Sequence, residues 1–181
     1  MEVGLAYLPG TIVWGASSLL LSDRLVMRYG IRKPLLGGLT LMTLSLLLLA
    51  RTPVDGIWAV DILPATVLIG LGGGIAFNPL LLAAMNDVKP TDSGLASGVV
   101  NTAFMMGGSL GLAVLASLAA GRTQSLLAAG TPATEALNGG YHTAFIVGGI
   151  FAAISAVLGG ALIRVKMGAA AQQGAPEVAM H

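Results

Sequence analysis

Residues 62–85 read ILPATVLIGLGGGIAFNPLLLAAM and contain no Lys, Arg, Asp or Glu. A helix needs about 20 mostly apolar residues to cross a hydrocarbon core of roughly 30 Å. Four more stretches have this character, at residues 4–22, 34–50, 93–119 and 143–163, and almost all the charge lies between them. The pattern predicts an all-α integral membrane protein with five transmembrane helices in residues 1–167. The remaining residues, 168–181, are rich in Ala, Gln and Gly and are predicted to form a disordered tail.

The composition excludes several classes of protein. Hydrophobic residues make up 55% of the chain and charged residues 9%, whereas soluble domains contain about 25% charged residues. A net charge of +1 gives no reason to expect nucleic-acid binding, and the absence of cysteine excludes thiolate metal sites. The pair Ser97-Gly98 lacks the preceding glycine of an intramembrane serine protease. We therefore expect no enzyme activity, no metal and no cofactor.

The loops between the apolar stretches alternate in charge. Residues 23–33 contain four basic residues, whereas the loops at 51–61 and 120–142 contain one each. Seven of the nine basic residues fall on one predicted side of the membrane. Because positive loops stay in the cytoplasm, the first loop, the third loop and the C-terminus are predicted to be cytoplasmic.

Small residues recur four positions apart in two of the predicted spans. Such pairs share one helix face and let a neighbouring helix approach closely. Ordinary helix packing is the favoured interpretation, and faces that slide during a conformational cycle are the alternative. The glycines concerned are Gly70, Gly74, Gly94, Gly98, Gly107 and Gly111.

Two acidic residues stand where helices are expected to begin. Asp61 precedes Pro64 and is predicted to cap the third span, with a proton-carrying role as the alternative. Asp92 or Ser93 is predicted to cap the fourth span after the turn at Pro90.

A few polar residues interrupt the spans. Pro79 removes a backbone donor and is expected to kink its helix, and Asn78 either satisfies a freed backbone group or faces a cavity. Asn101 is expected to make an interhelical hydrogen bond, with substrate contact as the alternative. His142 is predicted to be a solvated residue at the outer membrane edge.

The first loop resembles the signature cytoplasmic loop of the major facilitator superfamily, G-x-L-x-D-R-x-G-x-R-[RK]. The signature aspartate is replaced by Met27, so the charge-based latch that the resemblance implies needs another acid, for which Asp23 is the candidate. The motif residues in this chain are Asp23, Leu25, Arg28, Gly30, Arg32 and Lys33.

Residues 93–102 and 107–114 resemble the next-to-last span of the fourteen-span drug:proton antiporters in that superfamily. Many members carry Arg-Gln where this chain has Phe104-Met105. The glycine run 70–74 before Phe77 also fits the preceding span. This likeness extends over roughly residues 4–166.

The resemblance implies the C-terminal portion of a secondary active transporter in a bacterial plasma membrane. It would export apolar or cationic drug-like molecules in exchange for protons by alternating access, together with a missing N-terminal half. Two alternatives are a five-span scaffold without transport activity and a superfamily transporter of a neutral metabolite or sugar. The residues expected to line the cavity are Phe77, Asn78, Asn101, Phe104, Met105 and Met106.

Overall fold

A computed structural model describes residues 2–86 and 88–162 of the chain. These residues form six α-helices joined by short turns: α1 (Glu2–Ser17), α2 (Asp23–Tyr29), α3 (Arg32–Leu49), α4 (Leu63–Met85), α5 (Ser93–Ala128) and α6 (Ala133–Leu162). A π-helical turn, Ser18–Ser22, joins α1 to α2, and a second, Trp58–Ile62, leads into α4. A short 3₁₀ turn, Pro90–Asp92, precedes α5. The predicted tail, 168–181, lies outside the described residues.

Four helical segments are long and apolar enough to cross a membrane. They are Arg32–Leu49, Trp58–Met85, Pro90–Ala128 and Ala133–Ala161. The first predicted span, at residues 4–22, is divided between the 16 residues of α1 and the π-helical turn that follows. The chain is thus an all-helical integral membrane protein.

The backbone between α5 and α6 differs from the long loop predicted at residues 120–142. Helix α5 continues to Ala128 and α6 begins at Ala133. Gly130 has φ 84°, and the N–H of Thr131 donates to the Leu126 carbonyl at 3.0 Å. This left-handed glycine with its backward hydrogen bond is a Schellman motif, which ends α5 sharply. Residues 120–128 and 133–142 are more polar than the spans but are still helical. They were predicted as loop because the prediction followed hydropathy alone.

Helix α4 forms the centre of the packed region, and small residues make this possible. Its buried positions are Ala65, Thr66, Gly70, Gly72, Gly73, Gly74, Ala76 and Pro79. Helix α1 lies against one side, where a Cβ added at Gly70 would collide with the carbonyl oxygen of Gly10. Helix α3 lies against the other side, where a Cβ at Gly72 would lie 2.6 Å from the Gly38 carbonyl oxygen.

Serine hydroxyls hydrogen-bond across these helix contacts. Ser17 Oγ donates to the Gly70 carbonyl at 3.3 Å, and Ser45 Oγ donates to the Ala65 carbonyl at 2.5 Å. Both serines are buried. Interhelical hydrogen bonds of this kind contribute on average about 0.6 kcal/mol in membrane proteins. They hold α1 and α3 at fixed positions along α4.

Helix α6 packs against α3 and α5, and its first turns bind the turn that follows α3. The amide of Asn138 donates to the Thr52 carbonyl at 3.1 Å, and His142 Nε2 lies 2.8 Å from the same oxygen. The prediction that His142 is a solvated edge residue is therefore wrong, because the short α5–α6 turn brings its ring onto the turn after α3. Both loops predicted to be extracellular meet at this end of the molecule.

Two predicted helix caps also differ from the structure. Asp61 lies inside the π-helical turn, where its carboxylate accepts the Ile57 N–H at 2.8 Å, so it caps that turn and not α4. Pro64 is in the first turn of α4, as predicted. Asp92 makes no side-chain cap for α5, because its backbone (φ −106°, ψ 2°) lacks the extended conformation of an N-cap.

Candidate functional site

The candidate cavity residues are divided between α4 and α5, and the structure brings one pair of them together. The rings of Phe77 and Phe104 meet edge to face, with centroids 6.0 Å apart and planes at 76°. Edge-to-face aromatic pairs contribute about 0.5–1.5 kcal/mol beyond the area they bury. This contact joins the middle of α5 to α4.

Asn78 is hydrogen-bonded to the backbone of another segment. Its amide donates to the Ser18 carbonyl at 3.3 Å, at the start of the π-helical turn after α1. This carbonyl is not the one that Pro79 frees within α4, and a place for Asn78 in a cavity wall stays a prediction.

Pro79 and Ser22 form a complementary pair beside Asn78. Pro79 is buried within α4 and has no N–H, so the carbonyl of Ile75, four residues earlier, loses its helical donor. The hydroxyl of Ser22 lies 3.4 Å from that oxygen and donates to it. The π-helical turn positions Ser22 for this contact, and α4 remains helical through Pro79.

The remaining candidate cavity residues lie on an open face of α5. Phe104, Met105 and Met106 are 60%, 64% and 58% exposed, and Asn101 is exposed as well. The interhelical hydrogen bond predicted for Asn101 is not made by the described residues. No residue of α5 is buried. The face of α5 around Asn101 and Phe104 therefore has room for a further partner or an aqueous cavity.

The predicted packing glycines divide into two groups. Gly70 and Gly74 are buried in α4, where a Cβ at Gly74 would collide with Ser17 Oγ and the Trp14 carbonyl. A Cβ at any glycine of the second group would meet nothing within 4 Å among the described residues, so their packing role stays a prediction. These are Gly94, Gly98, Gly107 and Gly111.

The sequence missed several glycines that make the tightest contacts. Gly38 faces Gly72 across the α3–α4 contact, and Gly140 faces the Ala119 carbonyl across the α5–α6 contact. The dipeptides Gly37-Gly38 and Gly139-Gly140 were the available signal. Spacing of four within one helix does not identify such pairs, because the partner lies on another helix.

The signature-loop residues are mainly helical. Asp23, Leu25 and Arg28 lie on α2, whereas Arg32 and Lys33 begin α3. Gly30 separates the helices with φ 75°, a conformation that favours glycine.

Charges in this loop are not paired with acids. Met27, at the position of the signature aspartate, is 87% exposed. Within the described ranges, Asp23 forms no salt bridge with the loop's basic residues, so it does not replace the missing acid inside this chain. Instead, Arg28 and Lys33 stand over the ring of Tyr29, at 5.4 and 5.7 Å from its centroid. Tyr29 was not among the predicted site residues; the available signal was an aromatic residue with Arg28 before it and Arg32 and Lys33 after it.

Among residues 2–86 and 88–162 there is no group of three or more His, Asp or Glu side chains that could hold a metal ion. Ser97 is exposed on α5, while His142 binds the Thr52 carbonyl at the opposite end of the helices.

Membrane-length helices held together by glycine and serine contacts define a multi-span helical membrane protein. The sequence profile of the Major Facilitator Superfamily matches residues 1–112, and the chain belongs to that family. It is a family of transporters, and no solved structure matches the chain.

The chain is also similar to proteins named for resistance and export. Puromycin resistance protein pur8 of Streptomyces alboniger is 34% identical over 97% of this chain and 36% of its own length. Cephamycin export protein CmcT of Amycolatopsis lactamdurans is 31% identical over 87% of this chain and 31% of its own length. Multidrug resistance protein Stp of Mycobacterium tuberculosis is 36% identical over 55% of this chain and 18% of its own length. The chain spans about a third of the length of the first two.

Proposed function

We propose that this chain forms the last five spans of a fourteen-span exporter. The exporter moves drugs or other apolar compounds out of the cell in exchange for protons. The observation that carries the proposal is the exposed part of α5 around Asn101 and Met105, next to the contact of Phe104 with Phe77 of α4. Polarisable methionine and aromatic side chains suit varied apolar substrates. The names of the relatives support the same substrate class.

In this proposal the open face of α5 forms part of the wall of a midplane cavity. The remaining walls come from helices of an N-terminal half that this sequence does not contain. Transporters with paired halves alternate access to such a cavity by rocking one half against the other. The spans of this chain carry no carboxylate in their interiors. The proton-coupling groups are therefore assigned to the other half.

The proposed orientation follows the distribution of basic residues. The loop at residues 23–33, the loop before α5 and the C-terminus face the cytoplasm of a bacterial plasma membrane. The turns that meet at Thr52, Asn138 and His142 then face outward. In either orientation, Phe77 and Phe104 lie inside the apolar stretches 62–85 and 93–119.

A chimera tests the proposal. The region of the puromycin resistance protein that matches this chain, about a third of its length, is replaced by this chain. Efflux of a fluorescent apolar cation is then measured in inverted membrane vesicles. We expect proton-driven transport that a protonophore abolishes. We expect Phe104→Ala and Met105→Ala to change which compounds are exported. Phe151→Ala is the matched control, because Phe151 is an exposed phenylalanine on α6, outside the proposed cavity.

Two results would contradict the proposal. If the chimera inserts at normal levels but exports none of a panel of compounds, the scaffold alternative is supported. If it transports only neutral sugars or metabolites, the chain belongs to an exporter of another substrate class. The chain alone, expressed without the other half, is expected to give no transport.

A further inference from the structure

A shallow groove lies beside the first cytoplasmic loop, where α2 meets α3 and α4. It has a volume of about 300 Å³. Lys33, Gly37 and Leu41 are four residues apart and therefore follow one face of α3. The groove is lined by Leu25, Tyr29, Lys33, Gly37, Leu41 and Ile75.

The mouth of this groove carries concentrated positive charge. Arg28 and Lys33 both stand over the ring of Tyr29, within 5.4 and 5.7 Å of its centroid. All three side chains are exposed. Within the part of the chain that the structure describes, neither cation has a carboxylate in salt-bridge range. Each cation would attract an anion bound at this rim of the groove, beside Tyr29.

The floor of the groove is apolar and open. A Cβ built at Gly37 would meet nothing within 4 Å. Leu25, Leu41 and Ile75 supply the remaining apolar walls. From Lys33 to Leu41 the groove follows α3 for about 12 Å, at 1.5 Å per residue. One leaflet of hydrocarbon is roughly 15 Å deep, half of the 30 Å core. The groove thus has the length of most of one acyl chain.

We propose that this groove binds an anionic phospholipid of the cytoplasmic leaflet. The lipid phosphate lies between the Arg28 guanidinium and the Lys33 ammonium, and one acyl chain follows Gly37 toward Leu41. The Tyr29 ring lies at the level of the headgroups, where aromatic residues are enriched. Basic pockets between helices on the cytoplasmic side bind such headgroups. Lipid binding at this site does not depend on which compound the protein exports.

The charge and the groove together select the occupant. A soluble phosphate would contact the cations but leave the apolar groove empty. A zwitterionic lipid such as phosphatidylcholine would fill the groove and bring a phosphate, but the two basic side chains would repel its choline group. A phospholipid with net negative charge uses the groove and the cations without this repulsion. Met27 replaces the acid of the signature loop, and within residues 2–86 and 88–162 no other carboxylate pairs with Arg28 or Lys33.

Native mass spectrometry of the purified full chain tests the proposal. The protein is released from nanodiscs made of equal amounts of dioleoyl phosphatidylglycerol and dioleoyl phosphatidylcholine, and the retained lipids are counted. We expect phosphatidylglycerol to be retained preferentially. Each basic residue near an anionic membrane contributes a factor of roughly five in affinity, so Arg28→Gln with Lys33→Gln is expected to lower the preference about thirtyfold or to abolish it. Arg28→Lys with Lys33→Arg should preserve it.

Gly37→Leu tests the acyl-chain groove separately from the charges. The Cβ of the new side chain would meet nothing within 4 Å, so we expect the fold to persist, which circular dichroism checks. We expect this variant to lose retained phosphatidylglycerol. Gly15→Leu is the matched control, because Gly15 is another exposed helical glycine whose Cβ would meet nothing within 4 Å.

Several outcomes would overturn the proposal. Equal retention of the two lipids by the unaltered chain would show that there is no anionic site. Unchanged retention in Gly37→Leu, or an equal loss in Gly15→Leu, would show that the groove is not the binding site. Displacement of the lipid by glycerol phosphate alone would indicate a soluble-phosphate site. None of these results involves transport, so failure here leaves the exporter proposal standing.

Discussion

Adding one methyl group at Gly38 should separate α3 from α4. A Cβ at this position would lie 2.5 Å from the Gly72 carbonyl oxygen, 2.7 Å from the Ala76 Cβ and 2.9 Å from the Ala76 nitrogen. Ordinary contacts begin near about 3.5 Å. None of these atoms belongs to a flexible side chain that can rotate away. Gly38→Ala therefore requires a shift of about 1 Å between the two helix backbones.

The neighbouring residue offers a matched control. Gly37 lies on the same helix, and a Cβ there would meet nothing within 4 Å. Overpacking a well-packed contact costs about 1–3 kcal/mol, whereas replacing a helical glycine with alanine contributes up to about 1 kcal/mol. Both variants gain this helix-propensity term, so it cancels in the comparison, and we expect Gly38→Ala to be less stable than Gly37→Ala by roughly 1–3 kcal/mol.

Unfolding of the two variants in mixed micelles measures this difference. Helix content is followed by circular dichroism while the fraction of dodecyl sulfate increases. The shift should also lengthen the hydrogen bond from Ser45 Oγ to the Ala65 carbonyl, since both groups lie on the α3–α4 contact. Adding Ser45→Ala to Gly38→Ala is then expected to cost less than Ser45→Ala alone. The reasoning is refuted if Gly38→Ala unfolds at the same point as Gly37→Ala, or later.

Two further predictions concern backbone groups. Ser22→Ala leaves the Ile75 carbonyl without a donor and is expected to lower the free energy of unfolding by about 1–3 kcal/mol. In a Pro79→Ala background, where the helical N–H is restored, the loss should be much smaller. Additive effects of the two substitutions in the same unfolding assay would contradict the pairing. Gly130→Ala places a Cβ on a residue with φ 84° and should lower the free energy of unfolding by about 1–2 kcal/mol. Gly130→Asn should lower it less, because asparagine tolerates left-handed geometry. Equal losses in the two variants would argue against the Schellman turn.

The sequence allowed the membrane class and most helices to be predicted because those features are local. Apolar runs of membrane length and charged gaps follow directly from composition. The α5–α6 turn was missed because Arg122 and Glu135 make that region polar, whereas helices extend beyond the hydrocarbon and end where Gly130 permits a left-handed turn. Hydropathy reports the solvent around a helix and not its length.

The contacts between helices were less predictable, since they depend on partners far apart in sequence. The spacing of Gly70 and Gly74 correctly indicated a packed face, but it gave no sign that Gly38 lies opposite Gly72. Likewise, Asn78 and Pro79 were recognised as special residues. Asn78 bonds Ser18, which is 60 residues away in the sequence. The Ile75 carbonyl, which Pro79 leaves without a donor, bonds Ser22, which is 53 residues away. Such pairings require the three-dimensional arrangement.

Asn101 supplies the strongest physical argument about what the open face of α5 contacts. The hydroxyls of Thr102 and Ser109, on the same helix, donate to carbonyls four residues earlier, at 2.8 and 2.9 Å, and so satisfy themselves within the helix. The Asn101 amide makes no such bond among the described residues. Leaving an amide unpaired in hydrocarbon costs about 4–8 kcal/mol, so a face that contacts only lipid is unfavourable at this position. A polar partner or water beside Asn101 removes that cost, and either one supports the proposed cavity over a scaffold surrounded by lipid.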